Sequence, residues 1–241
     1  MLIAVGKPPM DVLLDDFAIM ASNRNEKHEN NEKREFQHAD GWGIVYTDNE
    51  ILQVDKYTQP CYNDPNLSNY RDLESPIVIL HARKGSKGHG GVELVNTHPF
   101  WYGNYIFCHN GTVDQKLTFD NAFSPKGKTD SEQLFYYMLT NMNGSFNESY
   151  ISDKLNAIHD FTGMNSIFSD GHTSFIINWY RLRPLYYALK FMETSDYFVL
   201  SSEILPHLKS QNWQQLKNHD ILRLETESRS FRIYNGNGNP Q

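Results

Sequence analysis

With 241 residues, 39% of them hydrophobic and 13% aromatic, the chain has the apolar content for one large core and reads as a single domain over residues 1–241. Its formal net charge of −7 offers no general attraction to nucleic acid or to an anionic membrane, and no apolar run approaches the length of a transmembrane span. Its cysteines, Cys61 and Cys108, argue against a disulfide framework and, with a first apolar run (2–5) too short for a signal peptide, point to a reducing, cytoplasmic setting.

Residues 1–6 read as a buried strand that Pro8-Pro9 stops, and residues 11–21 carry apolar side chains at helical spacing behind Asp11. Residues 22–37 are almost wholly polar and predict a mobile surface loop. In His38-Ala-Asp-Gly-Trp-Gly43 a glycine pair around Trp42 lets the backbone approach a neighbour, or marks a turn with a core tryptophan. Residues 44–46 and 51–54 predict a hairpin, and residues 61–74 an irregular loop or short helix. Residues 76–81 form an apolar strand ending in His81-Ala-Arg83, which sets a cation at the end of a buried element. Residues 84–91 are a flexible Gly-rich loop without the spacing of a phosphate-binding loop.

The apolar segment 105–108 runs directly into His109-Asn110-Gly111. An Asn side-chain amide and a Gly N–H at a strand end are the donors an oxyanion hole needs, although Asn-Gly is equally a strong hairpin-turn signal. Residues 127–132 open a helix with apolar positions at Leu134, Phe135, Met138, Leu139 and Met142. There Thr129 and Glu132 fit a capping box, while the cap leaves Asp130 unexplained. A second amphipathic helix is expected over 151–161. Strands follow at 165–168, 173–177, 186–191, 197–201, 221–225 and 230–234, and the tail 235–239 reads as disordered. The Arg- and Tyr-rich stretch 180–187 reads as a half-exposed strand surface. This pattern predicts an α+β fold of antiparallel sheets with helices packed on their outer faces.

His81, His89, His98 and His109 have neither HExxH spacing nor paired cysteines, so no metal or other cofactor is expected. No Gly-x-Ser-x-Gly elbow supports a serine hydrolase. Taken in order, His38-Ala-Asp-Gly-Trp-Gly43, His81-Ala-Arg83, Asn96-Thr-His-Pro-Phe100, Phe107-Cys-His-Asn-Gly111 and Gly127-Lys-Thr-Asp-Ser-Glu132 resemble the class II glutamine amidotransferases. Leu200-Ser-Ser-Glu-Ile-Leu205, Trp213 and Asp220-Ile-Leu-Arg-Leu224 resemble the ending of the same domain. The nearest likeness is to the stand-alone subgroup that includes the yeast glutathione-degradation amidotransferase subunit and its bacterial relatives.

The resemblance implies the amino-terminal nucleophile hydrolase fold, an αββα sandwich of two antiparallel sheets between helices. It also implies glutamine or γ-glutamyl amide hydrolysis through a γ-glutamyl thioester on an N-terminal cysteine. Asn110 and Gly111 correspond to its oxyanion hole, Arg83 to the partner of the substrate carboxylate with Thr97 and His98 near it, and Asp130 to the partner of the substrate ammonium. Glutamine or a γ-glutamyl compound is the expected ligand, and a separate synthase or peptidase subunit a candidate partner. Leu2 stands where the family carries its nucleophile, so the thiol is expected upstream of Met1. The alternative is a catalytically silent domain that binds such ligands or a partner. Strand alternation should turn Cys108 away from the face that His109 occupies, which makes it a poor substitute.

Overall fold

A computed structural model of the chain describes residues 1–29, 36–86, 90–142 and 146–241. Strand β1 (Leu2–Gly6) is followed, beyond Pro8-Pro9, by helix α1 (Met10–Ala21). The hairpin β2 (Trp42–Asp48) and β3 (Ile51–Tyr57) leads through two short 3₁₀ turns to β4 (Ile77–Ala82). Then come β5 (Phe100–Tyr102), β6 (Tyr105–Val113), α2 (Asp130–Leu139) and α3 (Glu148–Asn156). The remainder is β7 (Phe161–Ser169), β8 (Thr173–Asn178), the single turn α4 (Pro184–Tyr187), β9 (Lys190–Glu193), β10 (Tyr197–Ser201), β11 (Gln214–Gln215), β12 (Asp220–Glu225) and β13 (Phe231–Tyr234).

Two antiparallel sheets result, ordered β11-β9-β10-β1-β4-β2-β3 and β13-β12-β8-β7-β6-β5. Alternation along each strand sorts the side chains into layers. Ile3, Val5 and Ile79 of one sheet and Ile106, Cys108 and Ile167 of the other share the core between the sheets. Leu2, Ala4 and Leu80 face outward onto Leu13, Leu14 and Phe17 of α1. Phe107, Phe168 and Ile177 face outward onto Leu134 and Phe135 of α2 and Ile151 of α3. The chain is thus an αββα sandwich, and each fully buried Leu or Phe contributes roughly 2–3 kcal/mol of apolar transfer.

Several expectations are corrected. The second long helix spans Glu148–Asn156 rather than 151–161, because Asn147 caps it by accepting the Tyr150 N–H at 2.9 Å and Phe161 already pairs in β7. The expected strand 186–191 is the turn α4 followed by β9 from Lys190, since Pro184 fixes a helical φ and lacks a ladder donor. Tail residues 235–239 are tied by Asn235 N–H to the Asn239 carbonyl, and Tyr234 bridges Pro240. In the polar stretch 22–37, residues 25–29 are anchored: Asn25 donates to the Ile204 carbonyl, and Glu26 accepts Lys190 Nζ at 2.8 Å. Residues 30–35 of that stretch, and residues 87–89 of the Gly-rich loop with His89, lie outside the described residues. Trp42 is a core residue, donating to Asp64 at 2.9 Å and stacked on Tyr57. The backbone approach its glycines permit is real: a Cβ on Gly43 would run into the His98 carbonyl.

Candidate active site

Antiparallel pairing of β1 with β4 sets Leu2 opposite Leu80, so the chain's first residue comes to lie beside the end of β4, where His81, Ala82 and Arg83 stand. The far end of β6, the first turn of α2 and the turn α4 close on the same point. Together they line a cavity of about 630 Å³. Arg83, His98, Asn110, Gly111 and Asp130 all line it. Thr97 does not: its hydroxyl donates to the Glu93 carbonyl at 2.9 Å, and its own carbonyl accepts Lys56 Nζ at 2.7 Å.

Asn110 and Gly111 sit within β6 and not in a turn, paired with Asn165 and Met164 of β7. Gly111 has φ +152°, and a Cβ there would collide with the Gly163 carbonyl, so the close approach of β7 requires glycine. The Asn110 Oδ1 accepts the Tyr186 hydroxyl at 3.3 Å, which leaves Nδ2 without an acceptor among the described residues. The Tyr186 ring is held in turn. Glu29 accepts the Leu185 and Tyr186 N–H groups at 3.0 Å each, Asn165 donates to the Tyr187 carbonyl, and His28 and Phe36 pack against the ring.

Arg83 is buried, with its backbone N–H on the Gly41 carbonyl and its guanidinium donating to the Gly91 carbonyl at 3.2 Å. Burial lowers its pKa from the ordinary value, and the charges of Asp40 and Asp130 act against that. Asp130 opens α2 and accepts the Val113 N–H at 2.8 Å, an anion placed at the positive end of the helix dipole. Thr129 caps that helix by accepting the Glu132 N–H. The capping box is only half formed, because the Glu132 carboxylate accepts from Lys126 and Gly127 instead of the Thr129 N–H.

Four imidazoles line the floor and wall. His109 donates from Nε2 to the Gly163 carbonyl, and its Nδ1 pairs with Ser131 Oγ at 2.9 Å. His81 donates to the His109 carbonyl at 3.0 Å and packs on His98 with ring centroids 4.0 Å apart. Both nitrogens of His98 and Nδ1 of His81 are buried without a hydrogen-bond partner among the described residues. Burial pushes the pKa of His81 and His98 well below 6.5, lowers that of His109, and takes His38 to about 4.

The Met1 α-amino group is also in the wall, donating to Ser202 Oγ at 3.3 Å. Burial lowers its pKa. Neither cysteine reaches the cavity lining: Cys61 lies under α1 and Cys108 between the sheets, on the face opposite His109 as alternation predicts. Burial raises both thiols to about 12. Arg183, Tyr186 and Tyr187 belong to the cavity although the 180–187 stretch read as an ordinary strand surface. The Arg183-Pro184 pair was the available signal, since a proline inside an apparent strand marks a turn or an edge.

The family model for class II glutamine amidotransferases matches residues 26–189. YafJ of Escherichia coli, whose name assigns it to the glutamine amidotransferases, is 26% identical over 191 residues, covering 70% of this chain and 74% of that protein. The γ-glutamyl-hercynylcysteine sulfoxide hydrolase of Mycobacterium tuberculosis is 26% identical over 111 residues, 46% of this chain and 43% of its own. Among solved structures, a glutamine aminotransferase class-II domain protein from Silicibacter pomeroyi superposes with a TM-score of 0.60 at 20% identity, over 83% of this chain and 92% of that one. The glutamine phosphoribosylpyrophosphate amidotransferase of B. subtilis gives 0.64 at 15% identity, over 99% of this chain and 50% of that one. The ends of β4 and β6, the first turn of α2 and the turn α4 fall within the family-model match, which spans more than half of the sequence, and the chain belongs to the class II glutamine amidotransferases.

Proposed function

We propose that the cavity takes the γ-glutamyl group of glutamine or of a γ-glutamyl amide and hydrolyses its side-chain amide. The observation that carries this reading is the convergence of Arg83, Asp130 and the Asn110–Gly111 donor pair on one cavity. A substrate with an α-carboxylate and an α-ammonium needs a fixed cation and a fixed anion, and the guanidinium fork suits a carboxylate as lysine does not. The γ-carbonyl oxygen lies at Asn110 Nδ2 and the Gly111 N–H, where the charge that develops during attack is stabilised.

In this scheme a thiol adds to the γ-carbonyl carbon as the terminal amine takes its proton. The C–N bond breaks, the proton passes to the leaving nitrogen, and ammonia departs. Water then cleaves the thioester to glutamate and restores the thiol. The thiol belongs to a cysteine N-terminal to β1, because Cys61 and Cys108 are buried away from the cavity. A second reading is a silent domain that only binds such ligands, since no cysteine stands among the described residues that line the cavity.

Calorimetry with L-glutamine, together with ammonia release from protein made from the whole gene, tests both. Binding that Arg83→Lys weakens, with ammonia released, supports the hydrolase. Binding without ammonia supports the silent domain. Absence of binding defeats both.

A further inference from the structure

The sandwich is open along one side, where β3, the last strand of one sheet, and β5, the last strand of the other, have no further neighbour. Two grooves follow this side, of about 340 and 710 Å³, and they meet at Val54 and Trp101, which line both. Of the eight large apolar side chains exposed among the described residues, five line these grooves: Ile51, Leu94, Val95, Trp101 and Tyr102. Trp101 is 51% and Ile51 64% exposed. Such concentration of apolar surface along two unpaired sheet edges is the mark of a surface that another protein covers.

The charges say which protein. One groove carries the exposed Lys126, and Lys56, whose ammonium donates to the Thr97 carbonyl; they stand 5.9 and 5.1 Å from the Trp101 ring. Glu132 in that groove is spent on the backbone N–H groups of Lys126 and Gly127. The other groove carries Glu50 and Asp170. An apolar middle between a cationic and an anionic end is self-complementary under a two-fold rotation through that middle. A rotation about the Val54–Trp101 junction sets the groove that carries Lys126 against the mate's groove that carries Glu50, twice over, with Trp101 of both copies at the centre.

We propose that this side is the interface of a two-fold homodimer of the chain. The surface is separate from the cavity, so the proposal does not depend on the reaction assigned to the cavity. Lys126 and Glu50 are both exposed, and their side chains make no hydrogen bond among the described residues, so reversing either charge leaves the fold intact.

The test is sedimentation velocity of the full chain over a concentration series extending to hundreds of micromolar, for wild type, K126E, E50K, the double variant and W101A. The wild type is expected to shift to twice the monomer mass as concentration rises. Each single reversal faces two like-charge pairs and should weaken association by at least about tenfold. The double variant restores both pairs with the signs exchanged and should return to within about threefold of wild type, while W101A removes the central anchor and should leave monomer. A wild type that stays monomeric throughout overturns the dimer and gives the surface to a different partner. A dimer in which the two reversals do not rescue one another, or in which W101A is silent, overturns the placement.

Discussion

Asn110 carries the largest single expectation. Asn110→Ala should lower turnover roughly a hundredfold to a thousandfold, about 3 kcal/mol for one oxyanion donor, while glutamine binding changes little. A turnover loss below about tenfold in a folded variant would remove the side chain from that role. Asp130→Asn should weaken glutamine binding yet leave α2 in place, because the amide oxygen can still accept the Val113 N–H and Thr129 still caps the helix. Unchanged affinity with lower thermal stability would reduce Asp130 to a helix-end charge. Arg83 and Asn110-Gly111 stand out in the sequence because each follows an apolar run, and Asp130 because the helix cap leaves it over; all four line the cavity. Thr97 does not line the cavity although His98 beside it does, since its hydroxyl is turned to the Glu93 carbonyl. The backbone bends at Pro99 gave the sequence no way to show which of the two would face inward.

Among the elements, the turn α4 departs furthest from its sequence. Its residues read as strand because Tyr186, Tyr187 and Leu189 are apolar or aromatic, but the N–H groups of Leu185 and Tyr186 go to Glu29, far away in the chain. Contacts of that kind leave no local signature, which is also why residues 25–29 looked like free loop. The structure makes α4 the holder of the Asn110 amide. Tyr186→Phe should therefore lower turnover about tenfold, the worth of roughly one hydrogen bond, with little change in glutamine affinity. In an Asn110→Ala background the same change should cost nothing further; a full additional loss there would show that Tyr186 acts by another route. Helix α2, by contrast, was legible as far as its Thr129 cap, though not in the Glu132 half of the capping box nor in its end at Leu139, short of Met142. Thr129→Ala should lower stability by about 1 kcal/mol, read from denaturant midpoints, and should also loosen the 126–127 loop that the Glu132 carboxylate grips.

At the scale of the whole molecule, four neutral imidazoles make stability depend on pH. Their folded pKa values lie below the ordinary 6.5, down to about 4 for His38, so between those limits the unfolded chain binds more protons than the folded one. Stability is then full above about 6.5 and falls as the pH drops through that value. Urea unfolding at about pH 7.5, 6 and 5 should give a declining free energy, with a shallower decline in His98→Phe; a flat profile would mean that the buried imidazoles charge freely in the folded state. Antiparallel sheets with helices on their outer faces were legible from the residue pattern and the four-layer order from the family resemblance, whereas the order of strands within each sheet was not, because register depends on which edges meet. The two cysteines lie in different layers, Cys61 beneath α1 and Cys108 between the sheets, and neither is exposed. They are therefore built-in reporters of where the molecule opens first. A pulse of alkylating reagent under mild denaturant, followed by peptide mass mapping, should mark Cys61 when the α1 layer lifts and Cys108 only when the sheets part, so the ratio of the two labels tells whether the sandwich comes apart leaf by leaf or all at once.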